Sequence, residues 1–308
     1  MLSFKFKDKV LKAIADRKID SNEELNPLKE FKLSKLDILR DFISNLKIYL
    51  NLFISKQRNV SEEYEEIWTD KSLENEFGDL EKLLSSNHRN SHRIKYRGLE
   101  SPRWWFNSIS LLMIEDVIKE NNFDEVLEIG SGNGINLLYL GQIFPEIDFY
   151  GYELTSSGVK SSQNVKNNKE ILSNIKRYFS LESSDYDGKE LNNLKFKIQD
   201  VRNKIDHPVS DKKKLVFTNL ALEQMDKVYY EGIKNILNLD ADEFFFIEPF
   251  REFQNPKDIL LLKNKGYLSK NTSRIFKSGF KKDLFRFYRG VRKIKYAAGI
   301  VKLRKNAY

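Results

Sequence analysis

The sequence predicts an α/β protein in which a mainly parallel β-sheet is covered by helices on both faces. Three observations lead to this prediction: strands alternate with helices from about residue 103, a glycine-rich turn follows one strand, and two strand-like segments lie near the end. Parallel strands need long crossover connections, usually helices, so such alternation is typical of a parallel sheet. The 308 residues also leave room for a further domain-sized segment.

The elements from residue 103 onward follow one another in a regular order. The predicted helices cover 103–121, the residues from the glycine turn to 143, and most of 156–178, with further helices between the later strands. The predicted strands are 125–129, 147–153, 194–199, 214–219 and 243–248. The segments 283–290 and 296–305 have a short connection, which predicts an antiparallel hairpin at the end of the sheet.

The first 100 residues lack the alternation of strands and helices and are predicted to be mainly helical. Apolar residues recur at helical spacing in 33–53, and further helices are predicted over 61–69 and 73–84. The polar stretch 85–106 follows, rich in His, Arg and aromatic residues. We therefore expect an N-terminal helical extension over 1–100, either a cap over the site or an oligomerisation or docking domain, and an α/β domain over 101–308.

Composition excludes several kinds of chemistry. The chain has no cysteine, which excludes disulfides, a cysteine nucleophile and thiolate metal sites. No stretch approaches the ~20 apolar residues of a membrane span, so we expect no integral membrane segment and a cytoplasmic location. The net charge is +8, but lysine far outnumbers arginine, which base-specific readers use more. A nucleic-acid partner stays open and is not favoured.

The turn after the first predicted strand carries the clearest functional pattern. Gly130, Gly132 and Gly134 are spaced G-x-G-x-G, which is neither the dinucleotide pattern G-x-G-x-x-G nor a P-loop. Glu128, two residues before the first glycine, would repel a pyrophosphate and favour a ligand with an amino group or a positive centre. Glu153 closes the next predicted strand, where a ribose-binding acid is expected.

With these residues the sequence resembles the class I S-adenosylmethionine-dependent methyltransferases. "LEIGSGNG" looks like their first motif, and Glu153 matches their ribose-binding acid. The resemblance covers about 101–305 and implies a Rossmann-like seven-stranded sheet, S-adenosyl-L-methionine as cofactor, and an enzyme. It also implies an acid near the adenine amino group at Asp200, and a cofactor contact at Asn219 in "FTNLALEQMD".

The acceptor of the methyl group is less constrained. A hydroxyl acceptor needs a general base, and the candidates are His88, His92 and Glu223, which could equally be loop residues or a helix start. The sequence lacks an Asn/Asp-Pro-Pro motif after the fourth strand, which argues against a nucleobase amine, and no metal cluster is evident. A small molecule, a glycan, a lipid head group or a protein side chain remains, and we favour O-methylation. The alternatives are an RNA methyltransferase and a non-catalytic cofactor-binding module.

Overall fold

A seven-stranded sheet forms the centre of the protein. The computed structural model describes residues 60–79, 94–96, 99–101, 104–179, 191–222, 229–248, 280–288 and 297–305. The strand order is β5-β4-β3-β6-β7-β9-β8, with parallel pairing from β5 to β7. β9 pairs antiparallel with both β7 and β8. The predicted parallel sheet with a C-terminal antiparallel pair is therefore confirmed, with β9 inserted between β7 and β8.

The strands and helices have the following bounds. The strands are β1 (Ile94–Tyr96), β2 (Leu99–Ser101), β3 (Glu125–Ile129), β4 (Asp148–Glu153), β5 (Leu194–Ile198), β6 (Lys214–Asn219), β7 (Glu243–Glu248), β8 (Phe280–Tyr288) and β9 (Ala297–Lys305). The helices are α1 (Val60–Asp70), α2 (Leu73–Phe77), α3 (Trp104–Asn121), α4 (Ile135–Ile143), α5 (Ser156–Val165), α6 (Lys169–Phe179) and α7 (Tyr229–Leu237). β1 and β2 form a separate antiparallel ribbon inside the polar stretch 85–106, where no strand was predicted.

Apolar side chains on both faces of the central strands explain why β3, β6 and β7 are almost entirely buried. In β7, Phe245 and Ile247 belong to one core, and Phe244 and Phe246 to the other. The first core lies under α3, α4 and α6, and it also receives Leu73 from the short helix α2. The second core lies under α7. Successive residues of a strand point to opposite faces, so continuous apolar runs are what a doubly covered sheet requires.

The connection between β5 and β6 differs from the prediction. We expected a helix between these strands, but residues 199–213 form turns and extended chain without one. His207 attaches this connection to two strands of the sheet: its Nδ1 lies 2.7 Å from the Tyr152 hydroxyl and its Nε2 lies 3.3 Å from Glu125 Oε2. Pro208 and the charged run after it lack the apolar periodicity of a packed helix.

The predicted helix over 156–178 is two helices. α5 ends at Val165 and α6 begins at Lys169. The Asn168 side chain accepts a hydrogen bond from the Ile171 backbone N–H at 3.2 Å, which caps the start of α6. The chain therefore changes direction between α5 and α6, and both helices contribute buried residues to the same core.

Candidate functional site

The loops that follow β3 and β6 meet at the carboxyl edge of the sheet. The chain moves from β3 outward to β5 and then returns to place β6 on the other side of β3, which makes this position the topological switch point. A Cβ at Gly130 would lie 2.3 Å from Cβ of Ala221 in the loop after β6. Ligands of open α/β sheets bind in the crevice at such a point.

The glycine turn takes a backbone conformation that favours glycine at three positions. Gly130, Gly132 and Gly134 have φ angles of 71°, 56° and 76°, in the left-handed region. The space beside Gly132 is not empty, because a Cβ there would lie 2.6 Å from Cζ2 of Trp68. The bare backbone at this position therefore accommodates an indole ring of the same chain.

The N–H groups of this turn are largely used within the protein. Four of them donate hydrogen bonds inside the chain: Gly130 N and Ser131 N to Tyr152 O (2.7 and 3.1 Å), Gly132 N to Glu153 Oε2 (2.9 Å), and Gly134 N to Ser131 O (2.9 Å). A phosphate-binding turn needs such groups free to face the anion. The turn is therefore poorly suited to a pyrophosphate, as its spacing and Glu128 predict.

Glu153 lies at the end of β4 as predicted, and it is held in place by its neighbours. Its Oε1 accepts hydrogen bonds from the Thr155 N–H (3.1 Å) and the Thr155 hydroxyl (2.8 Å), and its Oε2 accepts one from Gly132. Burial raises the pKa of this carboxyl, while the hydrogen bonds from Thr155 and Gly132 act in the opposite direction. Each carboxylate oxygen has two acceptor positions, so Oε2 can accept one more donor.

Glu128 lies in β3 beneath the turn and is 1% exposed. Its Oε1 accepts a hydrogen bond from Asn136 at 2.6 Å, and its Oε2 has no hydrogen-bond partner. Burial raises its pKa to about 8, with a further contribution from the charge of Glu153, although the Asn136 hydrogen bond lowers it. A buried carboxyl with an unpaired oxygen is suited to a positively charged or hydrogen-bond-donating group.

Asp200 lies just beyond β5 and is already paired. Arg202 donates to both of its carboxylate oxygens through Nε at 2.8 Å, and the Arg202 backbone N–H adds a bond of 2.9 Å. Burial acts to raise the pKa of Asp200, but the hydrogen bonds and charge of Arg202 outweigh it and lower the pKa. The predicted adenine contact would therefore share this carboxylate with Arg202.

The loop after β6 is held by an acid that the sequence did not single out. Glu248 Oε1, at the end of β7, accepts hydrogen bonds from the N–H groups of Ala221 (2.9 Å) and Leu222 (3.1 Å). Leu220 has φ of 61°, an uncommon conformation for a bulky residue. Asn219, which we predicted as a cofactor contact, has a buried Oδ1 without a hydrogen-bond partner at the start of this loop.

Helix α1 brings a part of the N-terminal region to the same edge. Its Glu65 carboxylate accepts hydrogen bonds from the backbone N–H groups of Ser156 and Ser157, both at 2.9 Å, and so caps α5. After α1, the Lys71 carbonyl accepts from the Asn133 side chain in the glycine turn at 3.3 Å. These contacts hold Trp68 beside the turn.

The three candidate general bases, His88, His92 and Glu223, lie outside the described residues. Among the residues that the structure describes, no group of three or more His, Asp or Glu side chains could hold a metal ion. No described helix has the length and apolar character that crossing a membrane requires. The identity of the general base stays a prediction from the sequence, because none of its three candidates is among the described residues.

The sequence matches no protein-family model and no curated protein. Among solved structures, the chain is similar to the methyltransferase domain of a bacterial Hen1 (12% identity, 64% of this chain and 98% of that chain, TM-score 0.43). It is similar to the plantazolicin methyltransferase BamL bound to SAH (12% identity, 79% and 100%, TM-score 0.44). A third is magnesium protoporphyrin IX methyltransferase from Synechocystis PCC 6803 with bound SAM (12% identity, 90% and 100%, TM-score 0.37).

At 12% identity and TM-scores below 0.5, these likenesses carry no argument about this chain. The strand order is the direct evidence for the fold. The sheet is doubly wound and parallel from β5 to β7, and the antiparallel strand β9 lies between β7 and the edge strand β8. This is the arrangement that the resemblance to the class I S-adenosylmethionine-dependent methyltransferases implies, so the predicted sheet is confirmed.

Proposed function

We propose that this chain binds S-adenosyl-L-methionine at the glycine turn and is a methyltransferase. The observation that carries the proposal is the convergence of two buried carboxyl groups, Glu128 and Glu153, on a turn at the topological switch point. The unpaired oxygen of Glu128 supports recognition of an ammonium group. The remaining acceptor position of Glu153 supports recognition of a ribose hydroxyl.

The same features disfavour the common adenine-containing alternatives. The pyrophosphate of a dinucleotide would meet two acids and a turn whose N–H groups already donate elsewhere. S-adenosyl-L-methionine carries an adenosine without phosphates, together with an ammonium and a sulfonium. Its positive charges and its ribose both match acidic acceptors.

The proposed roles assign one part of the cofactor to each residue. Glu128 binds the ammonium, Glu153 the ribose, Asp200 the adenine amino group, and Asn219 contributes from the loop after β6. When bound, the cofactor supplies an electrophilic methyl group, so the chain's own task is to orient the acceptor and accept its proton. His88, His92 and Glu223 are the proposed candidates for the proton acceptor.

We further propose that the acceptor is a hydroxyl of a small molecule or glycan, and that residues 1–100 form a helical cap over it. The docking of α1 at the carboxyl edge, through Glu65 and Trp68, supports the cap. A lipid head group or a protein side chain is a further acceptor to test.

Calorimetry with the full chain tests cofactor binding. We expect S-adenosyl-L-methionine and its product S-adenosyl-L-homocysteine to bind in the micromolar range, about −8 kcal/mol, and NAD to show no binding. NAD is the matched control because it has the same adenosine but carries a pyrophosphate. Tight NAD binding without S-adenosyl-L-homocysteine binding would reject the proposal.

Turnover is a separate question from binding. Cell extract incubated with the protein and methyl-labelled cofactor should yield a labelled small molecule or glycan. Label in RNA, with an affinity that falls steeply with salt, would indicate the RNA methyltransferase alternative instead. Binding without label in any fraction would indicate a non-catalytic binding module.

A further inference from the structure

Trp68 lies against the glycine turn, although the two are far apart in sequence. Three atoms of its indole, Cζ2, Cη2 and Cε2, would lie 2.6, 3.0 and 3.2 Å from a Cβ at Gly132. Cε2 is the ring atom bonded to Nε1. The edge of the six-membered ring that faces Gly132 therefore includes the neighbour of Nε1.

The indole nitrogen has no partner within the protein. Nε1 of Trp68 is buried and makes no hydrogen bond. Buried donors are almost always satisfied in folded proteins, and an unsatisfied one costs about 1–3 kcal/mol. An orphaned donor beside a candidate ligand site suggests that a ligand atom completes it.

The ligand of the proposed function has one group that the site does not otherwise serve. The amino-acid part of S-adenosyl-L-methionine carries a carboxylate next to its ammonium, and neither Glu128 nor Glu153 contacts this carboxylate in the proposed roles. Four N–H groups of the turn, at Gly130, Ser131, Gly132 and Gly134, donate within the chain. A side-chain donor beside the turn is therefore a candidate partner for the carboxylate.

Hydrogen bonds on both sides of Trp68 attach α1 to the α/β domain. Glu65, three residues earlier and so on the same side of α1, accepts from Ser156 and Ser157 at the start of α5. Asn133 of the turn donates to the Lys71 carbonyl just after α1. A donor held from both sides costs little entropy to use.

We propose that Trp68 is a cofactor-binding residue, whose indole N–H donates to the carboxylate of bound S-adenosyl-L-methionine while its ring forms one wall of the site at Gly132. This inference rests on the proposed function. It extends the site to the N-terminal region, beyond the residues of the sheet loops.

The test compares two ligands on one variant. S-adenosyl-L-homocysteine contains the amino-acid part, and 5′-methylthioadenosine has the same thioadenosine without it. Trp68→Phe keeps an aromatic ring and removes only the N–H. We expect calorimetry to show about 10- to 100-fold weaker binding of S-adenosyl-L-homocysteine and an unchanged affinity for 5′-methylthioadenosine, since hydrogen bonds to charged groups have this magnitude.

Each outcome supports or overturns a defined statement. Equal weakening of both ligands would mean that the ring acts by packing alone, and no weakening of either would overturn the contact entirely. If the wild-type protein binds neither ligand, the proposed function fails rather than the role of Trp68. Tyr230→Phe is the matched control, because it alters a 43% exposed aromatic residue on α7.

A second measurement keeps Trp68 in place and does not depend on the folding of Trp68→Phe. The chain has three tryptophans, at positions 68, 104 and 105, so a ¹⁵N-labelled sample gives three indole N–H signals. Trp104→Phe and Trp105→Phe identify the Trp68 signal. We expect S-adenosyl-L-homocysteine to shift that signal downfield and 5′-methylthioadenosine to leave it near its free position; identical shifts with both ligands would overturn the proposal.

Discussion

Glu153 after β4 and Asp200 after β5 are both acids at the carboxyl edge of neighbouring strands, but their surroundings differ. Glu153 is 6% exposed and receives its hydrogen bonds from backbone and hydroxyl groups of uncharged residues. Asp200 is partly exposed and forms an ion pair with Arg202. Burial raises the pKa of the first, whereas Arg202 lowers that of the second.

The difference separates two functions of a carboxylate at a strand end. Glu153 joins the loop after β4 to the glycine turn, so its loss would affect the shape of the site as well as ligand contacts. Asp200 is neutralised by a residue two positions later, and exposed ion pairs contribute little to stability. The predictions below test this contrast, from the largest expected effect to the smallest.

Glu153→Ala should produce the largest effect. It would leave the buried N–H groups of Gly132 and Thr155 without an acceptor, and we expect the unfolding free energy to fall by roughly 2–6 kcal/mol, at about 1–3 kcal/mol for each donor. Chemical denaturation measures this. Thr155→Val, which removes only the hydroxyl donor, is the control and should cost less. If Glu153→Ala is as stable as wild type, the joining role of Glu153 is wrong.

Glu128→Gln should change how stability depends on pH. The pKa of Glu128 in the folded protein is about 8, above its ordinary value of 4.5, so its stabilising contribution is full below about pH 4.5 and is lost as pH rises through 8. The glutamine variant cannot ionise. We expect it to be more stable than wild type at pH 9 by a few kcal/mol, relative to the difference at pH 4.5.

The ion pair of Asp200 and Arg202 provides the control for the pH dependence of Glu128→Gln. Denaturation of Asp200→Asn over the same pH range should follow wild type above pH 5, because that acid is already ionised there. Parallel curves for Glu128→Gln and wild type between pH 5 and 9 would contradict the buried protonated state of Glu128.

Substitutions at the ion pair should have the smallest effects. Asp200→Asn should change the unfolding free energy by less than about 1 kcal/mol, the usual range for exposed pairs. Arg202→Gln tests whether Asp200 contacts the adenine, because it removes the hydrogen bonds of the Arg202 guanidinium to the Asp200 carboxylate. Tighter S-adenosyl-L-homocysteine binding in Arg202→Gln, abolished by a second change Asp200→Asn, would support the adenine contact; no change in affinity would remove Asp200 from the site.

Patterns of neighbouring residues were enough to predict most of the fold. Strands β3, β6 and β7 have the bounds that the sequence predicted, and α4 begins directly after Gly134. The missing helix between β5 and β6 is an exception, because the alternation of strands and helices was extended to a segment whose own residues do not support a helix. His207 stabilises that segment through contacts with Glu125 and Tyr152, which lie in other strands.

The site was only partly predictable for a related reason. Glu128, Glu153 and the glycines have motif spacing, which a sequence displays directly. Trp68 and Glu248 act through contacts across 64 and 27 positions, and no local pattern marks them. A side chain introduced at Gly132 would also collide with Trp68, which the sequence could not reveal.

The capping of α5 by Glu65 has a consequence for the order of folding. Thr155, at the start of that helix, makes no capping hydrogen bond through its own side chain, and the acceptor comes from 91 positions earlier in the chain. During synthesis, α1 therefore leaves the ribosome long before the backbone that it caps exists. Such a contact has high sequence separation and a large loop-closure cost, so it forms after local structure. We expect α1 to dock late, onto a sheet whose β3–α4–β4 unit has already assembled.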